Sequence, residues 1–272
     1  MEEKKGNRRV TITIGAQRSG KSFLTNEDIK TFLKSGQMAM VYNYGKRVDW
    51  DACIEGKLFD MQLHEEYIYD NLGSKALKEF RRFRKFRFFN LDSYNKGIHE
   101  LKDMNAILYG KAVKFHRLDD KTEERLFYEY VKSVSNCLLV FDDALPIFNC
   151  NLKGWMNNLF TRVNHTGEQH TNPSYQGAGS DIVLIFHSLN QVPKAILDCY
   201  NEDWKFRTFR YSEEPDFKKI RNYELRTSLE VCFDIIKEEP KYSYTEYDRG
   251  ETTLFRFLGG GKYEELSIDI NL

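Results

Sequence analysis

Between Gly15 and Ser22 the chain reads GAQRSGKS, with two glycines, a lysine and a hydroxyl in the order G-x-x-x-x-G-K-S. That spacing suits a loop wrapped round a polyphosphate. Such a loop must aim several backbone N–H groups inward, and Gly15 and Gly20 can take conformations that a Cβ would forbid. Lys21 is placed to reach the β- and γ-phosphates, and the Ser22 hydroxyl to ligate Mg²⁺. The candidate phosphate-binding residues are Gly15, Ala16, Gln17, Arg18, Ser19, Gly20, Lys21, Ser22 and Phe23. The helix expected to start near Lys21 adds free N–H groups and the positive end of its dipole.

Two further groups of chemically able residues follow apolar runs. Cys137 to Phe141 (CLLVF) ends in Asp142 and Asp143. A carboxylate at a strand tip can hold Mg²⁺, and a second can orient or deprotonate an attacking water. Asp142 is expected at the metal and Asp143 at the water. Ile182 to Phe186 (IVLIF) ends in His187 and Ser188, with Gln191 one turn on. His187 either touches the γ-phosphate or its water, reporting whether nucleotide is intact, or is a histidine hydrogen-bonded to a neighbouring loop. Three groups at the carboxyl ends of strands are where an open parallel sheet binds its ligands.

The elements that must carry these groups are readable. Val10, Ile12 and Ile14 alternate with Thr11 and Thr13, a strand pattern, and Phe23, Leu24, Ile29, Phe32 and Leu33 lie at roughly helical spacing. Met38 to Tyr42 (MAMVY) reads as a second buried strand. Residues 49–135 are charged and aromatic, with strand-like KFRFFNL and AVKFHRL and helix-like patterns at 72–83 and 126–134. They read as an insertion that decorates the core. After Asp143 a helical stripe runs from Leu152 to Val163, and Trp204 to Arg210 alternates like a more exposed strand. A helix is expected around Asp216 to Lys237, then hairpin strands at Thr252 to Leu258 and Glu264 to Ile268. Strands alternating with helices predict an α/β fold, a parallel sheet with helices on both faces. The expected division is a core over 1–210, interrupted by an α+β insertion over about 49–135, and a small extension over 211–272.

Composition narrows the function classes. There are 41 basic and 41 acidic residues, so no global field advertises a polyanion, and contact with one must come from a local patch. Arg81 to Arg87 (RRFRKFR) interleaves basic and aromatic residues and reads either as a DNA-backbone patch or as an amphipathic element with snorkelling arginines. The 5 cysteines are scattered without a C-x-x-C, which suits a reducing compartment and indicates neither a disulfide framework nor a zinc site. The amino terminus, MEEKKGNRR, lacks a signal-peptide pattern, and no apolar stretch approaches a membrane span.

The order phosphate loop, long insertion, LLVFDDA, helix, FTRVNHTG, DIVLIFHSLNQVP and FRTFR resembles the FtsK/HerA group of P-loop ATPases. Within that group it looks most like viral genome-packaging ATPases and the related Zot-like phage proteins. The resemblance spans roughly Val10 to Arg210. Its more specific part is a strand, a polar sensor and x-x-x-Q-x-P, here His187 to Pro193, then F-x-T-x-R at Phe206 to Arg210. Members usually carry Gln at the sensor and Glu after the metal-binding Asp, where this chain has His187 and Asp143. The resemblance implies a RecA/ASCE-like P-loop NTPase fold, ATP and Mg²⁺ as ligands, and a homo-oligomeric ring, pentamer or hexamer, that moves DNA. It further implies an arginine reaching a neighbour's γ-phosphate. Arg162 is the leading choice, with Arg207 and Arg210 behind it. A capsid portal or vertex protein is the implied partner, and the host cytoplasm or the virion the implied location. Zot-like proteins typically carry a membrane span, and its absence from this sequence favours the packaging type.

Two other readings stay open. One is a nucleotide-dependent assembly or interaction switch, and the other a small-molecule P-loop kinase, against which the doubled Asp after a long apolar strand argues.

Overall fold

The computed structural model describes residues 8–35, 38–43, 58–60, 74, 112–116, 137–148 and 179–270. Their strands form one ten-stranded sheet, in the order β10-β9-β8-β7-β1-β6-β5-β2-β4-β3. The strands are β1 (Val10–Ile14), β2 (Met38–Asn43), β3 (Leu58–Asp60), β4 (Ala112–His116), β5 (Cys137–Asp142), β6 (Asp181–Phe186), β7 (Trp204–Phe209), β8 (Tyr244–Asp248), β9 (Glu251–Gly259) and β10 (Lys262–Ile268). The helices are α1 (Lys21–Lys34), the one-turn α2 (Leu145–Phe148) and α3 (Lys194–Leu197), and α4 (Tyr223–Glu238). From β7 to β3 every pairing is parallel, and β7 to β10 is an antiparallel meander.

The parallel strands are apolar on both faces because both faces are covered. On one face Ile29 of α1 packs into Ala39, Val41, Leu138, Val140, Val183 and Ile185, with Phe32 beside them. Burying each such Val, Leu or Ile side chain contributes about 1.5–3 kcal/mol. The other face carries Ile12, Ile182, Leu184, Leu139 and Phe206, all buried. Phe148 of α2 stacks there on Phe186, with centroids 6.1 Å apart. Register places α1 and α4 on opposite faces. Arg207 pairs in register with Glu246, and its guanidinium bonds Asp28 of α1. Its neighbour Phe206 pairs with Tyr247, whose hydroxyl donates to Glu224 of α4 at 3.2 Å. Adjacent strand residues point to opposite faces, so helices cover both sides, as the sequence predicts.

Four expectations need correction. The 49–135 stretch does more than decorate, because β3 and β4 are parallel members of the central sheet. AVKFHRL supplies β4, whereas KFRFFNL and the helices expected at 72–83, 126–134 and 152–163 lie outside the described residues, Ser74 apart. The C-terminal hairpin is a three-stranded meander that continues the same sheet through β7–β8. Tyr244–Asp248, like Leu58–Asp60, is a strand that the sequence reading lacked. The last helix starts at Tyr223, not near Asp216, because Asn222 caps it, its side chain accepting from Leu225 N–H at 2.8 Å.

The fourth correction concerns β7, expected to be the more exposed strand. Trp204, Phe206, Thr208 and Phe209 are buried. The alternating charges face ion partners and not open water. Lys205 lies 2.6 Å from Glu246, and Arg207 bonds both Glu246, at 3.0 Å, and Asp28. Burial works against the Arg207 charge, but Asp28 and then Glu246 outweigh it and hold the guanidinium above its ordinary pKa.

Candidate functional site

The phosphate loop leaves β1 and is fastened to the two strands beside it. Gly15 N–H donates to Phe186 O of β6 at 3.3 Å, and Ala16 N–H to Arg210 O, just past β7, at 2.8 Å. Gly15 is required by contact and not by dihedral angle, since a Cβ there would lie 2.5 Å from Phe209 Cβ. Gly20 is required by conformation, with φ +107°. Arg18 also takes a left-handed backbone, φ 59°. These turns coil the loop into α1. Lys21 is buried, and its Nζ donates to Gly15 O at 2.5 Å and Ala16 O at 2.6 Å. The ammonium is therefore held at the centre of the loop's own curve. Ser22 is half-buried on the first turn of α1, and Gln17 and Arg18 are exposed.

The strand order brings the second and third groups to the same edge. β6 lies between β1 and β5, with Phe186 level with Ile14 and Leu184 level with Phe141. Gly15 and His187 follow at one level, and the acidic pair emerges on the neighbouring strand two and one residues short of it. Asp142 is the last residue of β5 and is buried, 5% exposed. Asp143 turns the chain with φ 54° and is half-exposed. Ala144 N–H then donates back to Ile185 O of β6 at 3.0 Å. The left-handed turn rotates the Asp143 side chain towards β6, where Oδ1 stands 3.8 Å from His187 Nε2. That separation is an ion pair when the imidazole is protonated and is too long for a hydrogen bond. Gln191 fixes the turn after β6, its Oε1 accepting from His187 N–H at 3.0 Å.

The residues fit a polyphosphate and a hard divalent cation. A backbone cradle closed to any Cβ at Gly15, a buried lysine and a long helix's N-terminus converge on one anion-sized region. Ser22 and Asp142 are oxygen donors of the kind Mg²⁺ takes alongside substrate phosphates. Among the described residues no group of three or more His, Cys, Asp or Glu could hold a metal by itself. A single carboxylate with a hydroxyl agrees with a metal that shares its shell with substrate.

Arg162, the expected finger, lies outside the described residues, as do Arg81 to Arg87 and most of the loop from His165 to Ser180. Of the runners-up, Arg207 is engaged within the fold as described above. Arg210 is exposed and donates to Lys237 O at 3.2 Å. The aromatic residues that crowd the loop from the meander, Tyr242 above all, were missed in the sequence. Their only signal was the density of aromatics in KYSYTEY and LFRF.

No family model and no curated protein matches the chain. Solved structures do. The genome packaging NTPase B204 from Sulfolobus turreted icosahedral virus 2 in complex with AMP superposes with a TM-score of 0.52 and 12% identity, over 92% of this chain and 97% of that one. The same protein in complex with ATP-gammaS gives 0.50 and 13%, over 90% and 94%. The fold is that of a P-loop NTPase. VirB4 of Thermoanaerobacter pseudethanolicus also matches, with a TM-score of 0.52 and 9% identity over 94% of this chain and 91% of that one. The α/β architecture expected from the sequence is thus the one found. Among the described residues, no helix is long and apolar enough to cross a membrane.

Proposed function

We propose that the chain is a Mg²⁺-dependent ATPase that couples hydrolysis to DNA translocation within a homo-oligomeric ring, in the packaging of a viral genome into a capsid. The observation that carries this reading is the interposition of β6 between β1 and β5, which brings His187 to 3.8 Å from Asp143 beside the phosphate loop. The likeness in fold to a genome packaging NTPase supports the setting.

In this reading Lys21 and the loop N–H groups hold the phosphates of ATP, which positions the γ-phosphorus at the strand ends. Ser22 and Asp142 would hold Mg²⁺, which would supply positive charge to the phosphate oxygens. Asp143 orients the attacking water and accepts its proton as the water oxygen bonds to phosphorus and the bond to the β–γ bridging oxygen breaks. His187, beside Asp143, responds to whether the γ-phosphate is present. Arg162 of a neighbouring subunit supplies a guanidinium to the charge that develops in the transition state. The ring acts in the host cytoplasm and docks on a portal or vertex protein.

The test is steady-state ATP hydrolysis against increasing linear double-stranded DNA, with Lys21→Ala as the blank. Turnover that rises several-fold with DNA and vanishes in the variant is the expected result. A rate indifferent to DNA removes the motor and leaves a nucleotide switch, or a kinase if ADP forms only with an acceptor that itself carries away the phosphoryl group.

A further inference from the structure

The sequence carries no motif that reads a nucleotide base, yet the fold places an aromatic cavity directly beside the phosphate loop. Its volume is about 240 Å³, and its walls are Gly20, Phe23, Tyr242, Phe257, Gly261 and Tyr263. That is smaller than the roughly 300 Å³ at which pockets for whole drug-sized ligands begin, and suits one flat ring system. Gly20 and Phe23 flank Lys21 and Ser22 in sequence, so the cavity opens where the phosphate cradle ends. The remaining walls come from the meander on the α1 face of the sheet.

Three features mark the cavity as built to hold a ring. Phe23 and Tyr242, 49% and 38% exposed, are two of the four exposed large hydrophobic residues among those described. Tyr242 takes φ 77°, a left-handed backbone that is strained for a bulky residue. That conformation brings its ring over the loop, with Cδ1 3.4 Å from where a Gly20 Cβ would be. Lys241 Nζ covers the Tyr242 ring at 4.9 Å, and Phe257 meets it edge-on at 5.4 Å. Tyr263 lies 5.4 Å beyond Phe257 and 5.5 Å from Tyr244. The rings are therefore buttressed from behind by further aromatics, and their faces are presented near the loop.

We propose that this cavity stacks the base of the nucleoside triphosphate, and that it does so without reading the base's edge. The proposal rests on the phosphate-loop reading. Apart from two phenol hydroxyls, its side chains offer no hydrogen-bonding group, whereas discrimination of adenine from guanine needs a polar partner on the base edge. Stacking uses the π-face that every base shares. The site is a general nucleoside-triphosphate site, with ATP and GTP held alike.

Calorimetric titration with ATPγS, GTPγS and inorganic tripolyphosphate, all with Mg²⁺, tests this. ATPγS is expected to bind about tenfold tighter than tripolyphosphate, with GTPγS within about fivefold of ATPγS. Tyr242→Ala and Tyr263→Ala each weaken ATPγS about tenfold while tripolyphosphate stays within about twofold, which also shows that the loop is still folded. Variants that bind ATPγS like the wild type, with tripolyphosphate still bound, overturn the base site and leave the phosphate loop standing. A preference for ATP over GTP beyond about fiftyfold overturns the edge-blind part. Wild-type protein that fails to bind tripolyphosphate, or binds it equally after Lys21→Ala, overturns the phosphate-loop reading and the base site with it.

Discussion

The two halves of the sheet solve different problems. In the parallel half every position of β5 is buried, whereas in the antiparallel half no position of β10 is. Parallel strands all end at the same edge, so residues after β1, β5 and β6 gather there although they are far apart in sequence. An antiparallel meander sends alternate ends to opposite edges and cannot gather chemistry in that way. It offers instead a face, here a row of aromatics from Phe209 through Tyr244 to Phe255, with ring centroids 5.2 and 4.6 Å apart. Convergent strand tips suit phosphoryl chemistry, and a one-sided aromatic face suits cover for the loop.

The sharpest way to break the contrast is in the cores. Phe206→Ala in β7 is expected to cost about 3–5 kcal/mol, a large part of a domain's stability. Phe255→Ala in β9, which is only half-buried, is expected to cost no more than about half of that. Urea denaturation followed by circular dichroism reads both, and equal losses would mean that the meander is as much core as the parallel strands. Next comes Lys21→Ala, which is expected to lower ATP turnover at least about 100-fold, close to 2.7 kcal/mol of barrier, while the melting temperature changes little. A collapse in stability instead would make the lysine's bonds to Gly15 and Ala16 structural.

Third is Asp28→Ala. It leaves Arg207 with Glu246 alone and is expected to destabilise by about 2 kcal/mol, since one guanidinium face loses its carboxylate. Unchanged stability would mean that water replaces the lost partner.

The smallest effect lies on the outer meander and depends on pH. Hydrogen bonds from Arg256 hold the Glu239 carboxyl below its ordinary pKa. A depressed carboxylate contributes stability above its unfolded pKa and loses it as pH falls through the folded one. Glu239→Gln should therefore melt slightly below the wild type at neutral pH, with the two curves converging as pH falls through the folded carboxyl's pKa. A gap that persists in acid would assign the contact to packing.

What was legible in the sequence follows the same division. CLLVF, IVLIF and MAMVY announce themselves because strands buried on both faces must be apolar throughout. The loop from Gly15 to Ser22 is legible because its chemistry fixes its spacing. β3 has only three residues, too few for any period, and β8 reads YTEYD, in which Glu246 looks solvent-bound until Lys205 and Arg207 are seen across the strand. Charge alternation in WKFRTF suggested exposure for the same reason. A single sequence does not show a partner supplied from another strand. The gathering of His187 with Asp143 was legible only as strand ends, since the left-handed turn at Asp143 that aims its carboxylate has no glycine to mark it.

The contact between Gly15 and Phe209 reaches beyond this one chain. Every residue except glycine has a Cβ, so no change of side chain at 209 other than to glycine makes room for a larger residue at 15. Compensation through shape, the usual route by which cores drift, is closed to this pair. Lineages that carry this loop against this strand should hold glycine at position 15 while the rest of β7 wanders, and a substitution there should appear only after the strand itself has moved away.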